Sequence, residues 1–146
     1  LPGTGCIYYG DEVGLEGYED PFNRRFFPWD NINDDLLLFY KTVTGLKQSH
    51  PALQVGDLRI VTAQGRVLIF TRECPEEKAT VAINLGDGTY SFSYTPPAED
   101  LSFVQSASFV DDVICLNPGG FVLISQKKAA PPARLSTGRR FGRRFR

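Results

Sequence analysis

The chain has 146 residues, 42% of them hydrophobic and 23% charged, with a formal net charge of −1. That balance excludes a collagen-like or wholly disordered chain, and no apolar run reaches the length that spans a bilayer. The charge is uneven: eight basic residues and no acidic one lie from Lys127 onward, which leaves the preceding 126 residues with 8 basic and 17 acidic side chains, a net of −9. An acidic body is not built for nucleic acid.

The first residues read as lying inside an element, with no basic region followed by an apolar one that would make a leader. Cys6, Ile7, Tyr8 and Tyr9 form a short apolar run, predicted as a buried strand. Gly10 stops it. A loop of about twenty residues follows, rich in Gly, Asp, Glu, Arg and aromatics, and loops of that length inside a compact domain are usually functional. Asn33 or Asp30 then caps a helix whose first turn holds Asp34 and Asp35. Leu36, Phe39, Tyr40, Val43 and Leu46 recur at steps of three and four, one apolar stripe of an amphipathic helix. Pro51 biases His50 out of the helical region and ends it. Strand, polar loop and helix together make one βα unit.

Beyond Leu53 the period shortens. Leu58, Ile60 and the run Val67–Phe70 read as strands flanking a turn at Ala63-Gln64-Gly65. A third strand covers Thr80–Ile83 after a charged turn, Pro75-Glu76-Glu77-Lys78. Asp87-Gly88 signals a hairpin leading into Tyr90, Phe92 and Tyr94. Pro96-Pro97 breaks the sheet, and Asn117-Pro118-Gly119-Gly120 predicts a turn between Val113–Leu116 and Phe121–Ile124. Short strands punctuated by turn residues indicate an antiparallel β-sandwich. The last twenty residues, 127–146, have no apolar period and read as a basic disordered tail.

Three stretches are specific enough to suggest kinship: Tyr8-Tyr9-Gly10-Asp11-Glu12, Asp20-Pro21-Phe22-Asn23-Arg24 and Phe27-Pro28-Trp29, with Lys47-Gln48-Ser49-His50-Pro51-Ala52-Leu53 beyond them. From Leu1 to about Gln126 the chain resembles the end of the catalytic barrel of the α-amylase superfamily (glycoside hydrolase family 13). It is most similar to the neopullulanase, cyclomaltodextrinase and oligo-1,6-glucosidase branch. Gly5 and Phe26 stand where that family usually has proline, which loosens turns without removing a functional group. The resemblance implies a mixed fold: residues 1–51 as the last strand, loop and helix of a (β/α)8 barrel, then residues 52–126 as a β-sandwich domain. A loop after such a strand lies on the barrel's substrate face.

Retaining glycoside hydrolysis needs two carboxyl groups roughly 5–5.5 Å apart. Asp11 and Glu12 are neighbours, which on extended backbone point to opposite faces. Glu16, Glu19 and Asp20 have no partner element to fix them. In the family the nucleophile, the acid/base and a third aspartate come from barrel strands four, five and seven, upstream of Leu1. The resemblance therefore implies no catalytic residue in this chain and no hydrolysis by it alone.

Substrate binding is what remains. Carboxylates and guanidinium groups bind sugar hydroxyls, and aromatics cover ring faces. In this branch the aspartate and arginine matching Asp20 and Arg24 hold the glucose on the non-reducing side of the cleavage point. The residues alone also allow an exposed ion pair worth under about 1 kcal/mol. The partner implied is an α-glucan or malto-oligosaccharide; a membrane or nucleic acid is not expected, and no cofactor or metal is called for. Tyr8 and Tyr9 read as core, Trp29 as a packing wedge, Arg25 as solvated or paired with an acidic neighbour, and His50 as satisfied by backbone at a helix end. Asp111-Asp112 lacks the spacing of a calcium loop and reads as a solvated turn. Cys6, Cys74 and Cys115 have no paired spacing and read as free thiols of a reducing, cytoplasmic compartment, with Cys6 the most buried. Two other readings stand beside the hydrolase fragment. One is a carbohydrate-binding sandwich without chemistry. The other is a polyanion-binding protein acting through its tail. The sandwich is expected to be ordered and the N-terminal third poorly held.

Overall fold

A computed structural model describes residues 3–94 and 101–128. After a single 3-10 turn at Asp11–Val13 come helices α1 (Asp34–Ser49) and α2 (Pro51–Val55). Six strands follow: β1 (Asp57–Gln64), β2 (Val67–Glu73), β3 (Glu77–Asn84), β4 (Tyr90–Ser93), β5 (Leu101–Val110) and β6 (Val113–Lys127).

The helices follow their sequence signals. The Asn33 side chain accepts from the Leu36 N–H at 3.0 Å, with Asp34 and Asp35 in the first turn, so Asn33 is the cap and Asp30 is not. His50 is extended, and Pro51 opens α2 at the position where proline costs no helical hydrogen bond. The expected stripe on α1 is present, but no residue of α1 is fully buried among the described residues.

The predicted strand at Cys6–Tyr9 does not form. No strand lies beside it among the described residues, and extended backbone without a neighbour has nothing to pair its N–H and C=O groups. Cys6, Ile7, Tyr8 and Tyr9 are exposed, and Cys74 is the buried thiol instead. Trp29, expected to wedge into a core, is 76% exposed and stacks on Phe27 with ring centroids 4.6 Å apart.

The strands form one antiparallel sheet in the order β1-β2-β3-β6-β4, with β5 along the other side of β6. Sequence periodicity anticipates β1, β2 and β3. It misreads the second half of the sheet in three ways. Asp87-Gly88 is not a two-residue hairpin: β4 pairs with β6, not with β3. Asn117–Gly120 does not reverse the chain: β6 runs through it as one 15-residue strand that pairs β5 on both sides of this stretch. β5 itself, LSFVQSASFV, has no clean alternation and was not anticipated.

The cause lies in how β6 is shared. Its second half, Phe121–Lys127, pairs with β3; its first half, Val113–Leu116, pairs with β4. At the switch, Gly119 takes φ +71°, and the register to β5 slips between Gln105 and Ala107, where Ser106 takes φ 49°. That bulge lets the sheet fold over itself. Gly120 fits because a Cβ there would stand 2.7 Å from the Asn117 carbonyl oxygen and 2.9 Å from that of Ser106.

Both faces of the central strands are thereby covered, and β3 is buried along nearly its whole length. On one face Phe70, Ala79, Val81 and Leu123 pack with Ala52 of α2, Cys74, Leu53 and Leu46. On the other, Ile69, Ala82, Val122 and Ile124 pack with Ile114, Leu116, Tyr90, Phe92 and Tyr94. The alternating aromatics of β4 face this core, as their spacing predicts.

Candidate functional site

The 11–33 segment positions the predicted binding pair. Gly10 takes φ +94° and Gly14 φ +78°, turning the chain on either side of the 3-10 turn. Asp11 and Glu12 are used locally: the Asp11 carboxylate accepts from the Tyr8 N–H at 3.2 Å and Glu12 from the Gly10 N–H at 2.9 Å. Both carboxylates are thus committed to shaping the turn.

Two tight turns then follow, with the Phe22 N–H donating to the Glu19 carbonyl at 2.8 Å and the Arg24 N–H to that of Pro21 at 3.1 Å. They bring Asp20 and Arg24 together as the sequence anticipates: Arg24 Nε lies 2.8 Å from Asp20 Oδ1. The side chains are 62% and 72% exposed, respectively. The pair is presented to solvent with spare acceptor and donor atoms.

Arg25 does something different from its neighbour. Its guanidinium lies 5.5 Å from the centre of the Tyr18 ring, a cation–π contact that neither expectation, solvation or an acidic partner, included. Its backbone carbonyl accepts the Tyr9 hydroxyl at 2.9 Å. Tyr8, Tyr9, Glu16, Tyr18, Asn23 and Arg25 line a hollow of about 210 Å³ in the same loop, and neither Asp20 nor Arg24 is part of its lining. The combination offers aromatic faces, a carboxylate, an amide and a guanidinium, which is the chemistry a sugar ring needs. The sequence singled out Asp20 and Arg24; it read Tyr8 and Tyr9 as core, whereas both are exposed, and it missed Tyr18, whose only signal was a lone aromatic in a Gly- and acid-rich loop.

Two buried polar groups outside this loop were also missed. Glu77, expected in a charged turn, is 4% exposed and opens β3. His50, expected to bond to backbone, places Nδ1 2.6 Å from Glu77 Oε1. Asn84 is 1% exposed and crosslinks the end of β3 to β6.

No family model matches the chain. Individual proteins do. A cyclomaltodextrinase of Bacillus sp. is 43% identical over 86 residues, 56% of this chain and 15% of its own length. The intracellular maltogenic amylase of Bacillus subtilis is 30% identical over 140 residues, 88% of this chain and 24% of its own. Among solved structures, the Nostoc punctiforme debranching enzyme soaked with acarbose superposes with a TM-score of 0.71 at 30% identity, over 86% of this chain and 26% of that one.

The chain belongs to the α-amylase superfamily.

Its similarity to these members of the superfamily spans a quarter or less of the length of the two curated relatives. The antiparallel β domain is the part of the fold that the superfamily structures and this chain clearly share.

Proposed function

We propose that this chain is the C-terminal part of a retaining α-glucan hydrolase. Residues 3–51 would be the last βα unit of its (β/α)8 barrel, and residues 52–126 its C-terminal β domain. The parent enzyme cleaves α-1,4 or α-1,6 glucosidic bonds. Its catalytic carboxylates lie outside this chain, and Asp20 and Arg24 hold one glucose unit of the substrate.

The observation that carries this reading is the Asp20–Arg24 pair, held at 2.8 Å by turns but left open to solvent. An ion pair that is shaped by backbone turns and yet exposed contributes little to folding. It is well disposed to exchange its partners for sugar hydroxyls. Three other acidic residues of the same loop are spent on local bonds: Asp11 and Glu12 on the turn, and Glu16 on the Tyr18 hydroxyl at 3.4 Å. The three free thiols fit the reducing, cytoplasmic setting expected for the parent.

A non-catalytic binding module would need an exposed aromatic platform on the sheet, and Tyr90, Phe92 and Tyr94 instead pack against the inner core. The basic tail, on which the alternative polyanion-binding reading rests, falls outside the described residues beyond Lys128; Lys128 itself is paired with Glu73 at 2.6 Å.

The test is hydrolysis of maltotriose, cyclodextrin and pullulan by the purified chain, with calorimetric titration of maltose alongside. The expected outcome is no turnover and weak maltose binding that disappears in Asp20→Ala and Arg24→Ala. Turnover abolished by changing a carboxylate of this chain would overturn the reading.

A further inference from the structure

Among the described residues, one buried carboxylate gathers donors from three separate elements. Glu77 stands at the start of β3. Its Oε1 accepts from Ser125 on β6 and lies 2.6 Å from His50 Nδ1 at the α1–α2 junction. Its Oε2 accepts from the Ala52 N–H, in the first turn of α2, at 2.9 Å. The far end of α2 has a second polar tie, from Arg72 Nε to the Gly56 carbonyl at 2.7 Å. Arg72 Nη2 also reaches the Gln54 carbonyl at 3.5 Å; the apolar contacts of α2 with the sheet run through Ala52 and Leu53, while the side chains of Pro51, Gln54 and Val55 are exposed. The polar hold of the sheet on the N-terminal end of α2 thus runs through the Glu77 carboxylate.

The chemistry of that carboxylate is one-sided. When ionised it is an acceptor only, with lone pairs for all three donors. When protonated it carries a hydrogen of its own, and the groups aimed at it are an N–H, an O–H and the imidazole Nδ1. To place the new hydrogen, either the hydroxyl of Ser125 must turn round or His50 Nδ1 must become an acceptor, and the remaining bonds lose their charge assistance. The sheet has no such dependence, since β3 and β6 are joined by backbone hydrogen bonds from Glu77–Lys127 to Ile83–Phe121.

Other titratable groups around Glu77 do not take over its role. Cys74, after β2, touches it through backbone, its N–H donating to the Glu77 carbonyl at 2.9 Å. Lys127 stands opposite it on β6 and is exposed. Glu76 and Lys78 flank it on its own strand, and α2, with sequence PALQV, contributes no ionisable side chain.

We infer that Glu77 is an acid-released latch: as a carboxylate it clamps the α1–α2 junction to the sheet, and on protonation it frees residues 50–56 while β3 and β6 stay paired. Burial pushes the Glu77 carboxyl up, but the bonds from His50, Ser125 and Ala52 outweigh it and hold it below its ordinary value, so the latch stays closed until the pH falls below the usual carboxylate range.

Hydrogen–deuterium exchange on the full chain, corrected for the pH dependence of intrinsic exchange, tests this. On acidification below the usual carboxylate range, amides of residues 50–56 lose protection before those of β3 and β6. In Glu77→Gln the same amides exchange about ten-fold faster at pH 7, and their response to acid disappears. In Ser125→Ala, which removes one donor to the ionised form, the opening moves to higher pH. Should Glu77→Gln fail to fold, the acid titrations of the parent chain and of Ser125→Ala decide. Loss of protection in residues 50–56 and in β3 at the same pH, or an opening unmoved in Ser125→Ala, overturns the proposal.

Discussion

The side-chain amide of Asn84 donates to the Leu116 carbonyl at 2.9 Å, from the end of β3 to the last residue of β6 before its bend. The same nitrogen reaches the Gly88 carbonyl at 2.8 Å, and Oδ1 accepts from the Gly86 N–H at 2.9 Å. One buried residue thus closes the β3–β4 loop and ties it to β6. Replacing Asn84 by Ala removes a buried hydrogen bond to the Leu116 carbonyl and the two part-buried bonds that close the loop. We expect a loss of about 1–3 kcal/mol in urea unfolding. Asn84→Asp destabilises at least as much at neutral pH, because it puts an acceptor where two carbonyls need a donor.

At the bend of β6, Gly120→Ala forces a Cβ within 3 Å of two backbone carbonyl oxygens. Neither is a flexible side-chain end that yields cheaply. The expected cost is upward of about 2 kcal/mol. Gly119→Ala, which has open space but a left-handed φ of +71°, costs about 1 kcal/mol. Chemical denaturation of the two variants side by side separates a steric from a conformational penalty.

Asp20→Ala and Arg24→Ala are expected to abolish the binding of maltose while shifting stability by less than about 0.5 kcal/mol, since both side chains are mostly exposed. Tyr18→Ala removes the ring under Arg25 and weakens the same binding several-fold. Calorimetric titration and thermal melts on the same samples check both halves. A variant that loses stability and binding together would mark a structural pair instead of a binding one.

The Glu77 carboxyl is held below its ordinary value in the fold. A group depressed in this way contributes stability that is full above its unfolded value and is lost as pH falls through the folded one. Denaturant midpoints should therefore hold down to the ordinary glutamate value and fall as the pH drops below it, with a smaller fall in Glu77→Gln. Glu73, lowered by its contact with Lys128, acts in the same direction, but it is exposed, and Glu73→Gln should leave the slope nearly unchanged.

What was legible in the sequence is what local chemistry decides. The cap at Asn33, the break at Pro51, strands β1 to β3 and the pairing of Asp20 with Arg24 all depend on neighbours close in sequence. What was missed depends on distant chain. The aromatic run Cys6–Tyr9 has strand composition but, among the described residues, no strand to pair with. β5 is held by β6 rather than by its own pattern. Asn117–Gly120 has turn composition, yet the pairing of β5 on both sides makes it a bend within a strand. Glu77 looks like a surface charge until His50, Ala52 and Ser125 converge on it, and no spacing rule links positions 50, 77 and 125.

The path of β6 has a last consequence. Its residues alternate between two separate apolar cores: Leu123 belongs to the one beneath the helices, and Val122 and Ile124 to the one enclosed by the fold-over, where Ile114 and Leu116 join them. Neither core can empty without pulling β6 away from the other. β2 and β3 straddle the cores in the same way, with Phe70 and Val81 in one and Ile69 and Ala82 in the other; the β domain therefore has two interiors but one melting event.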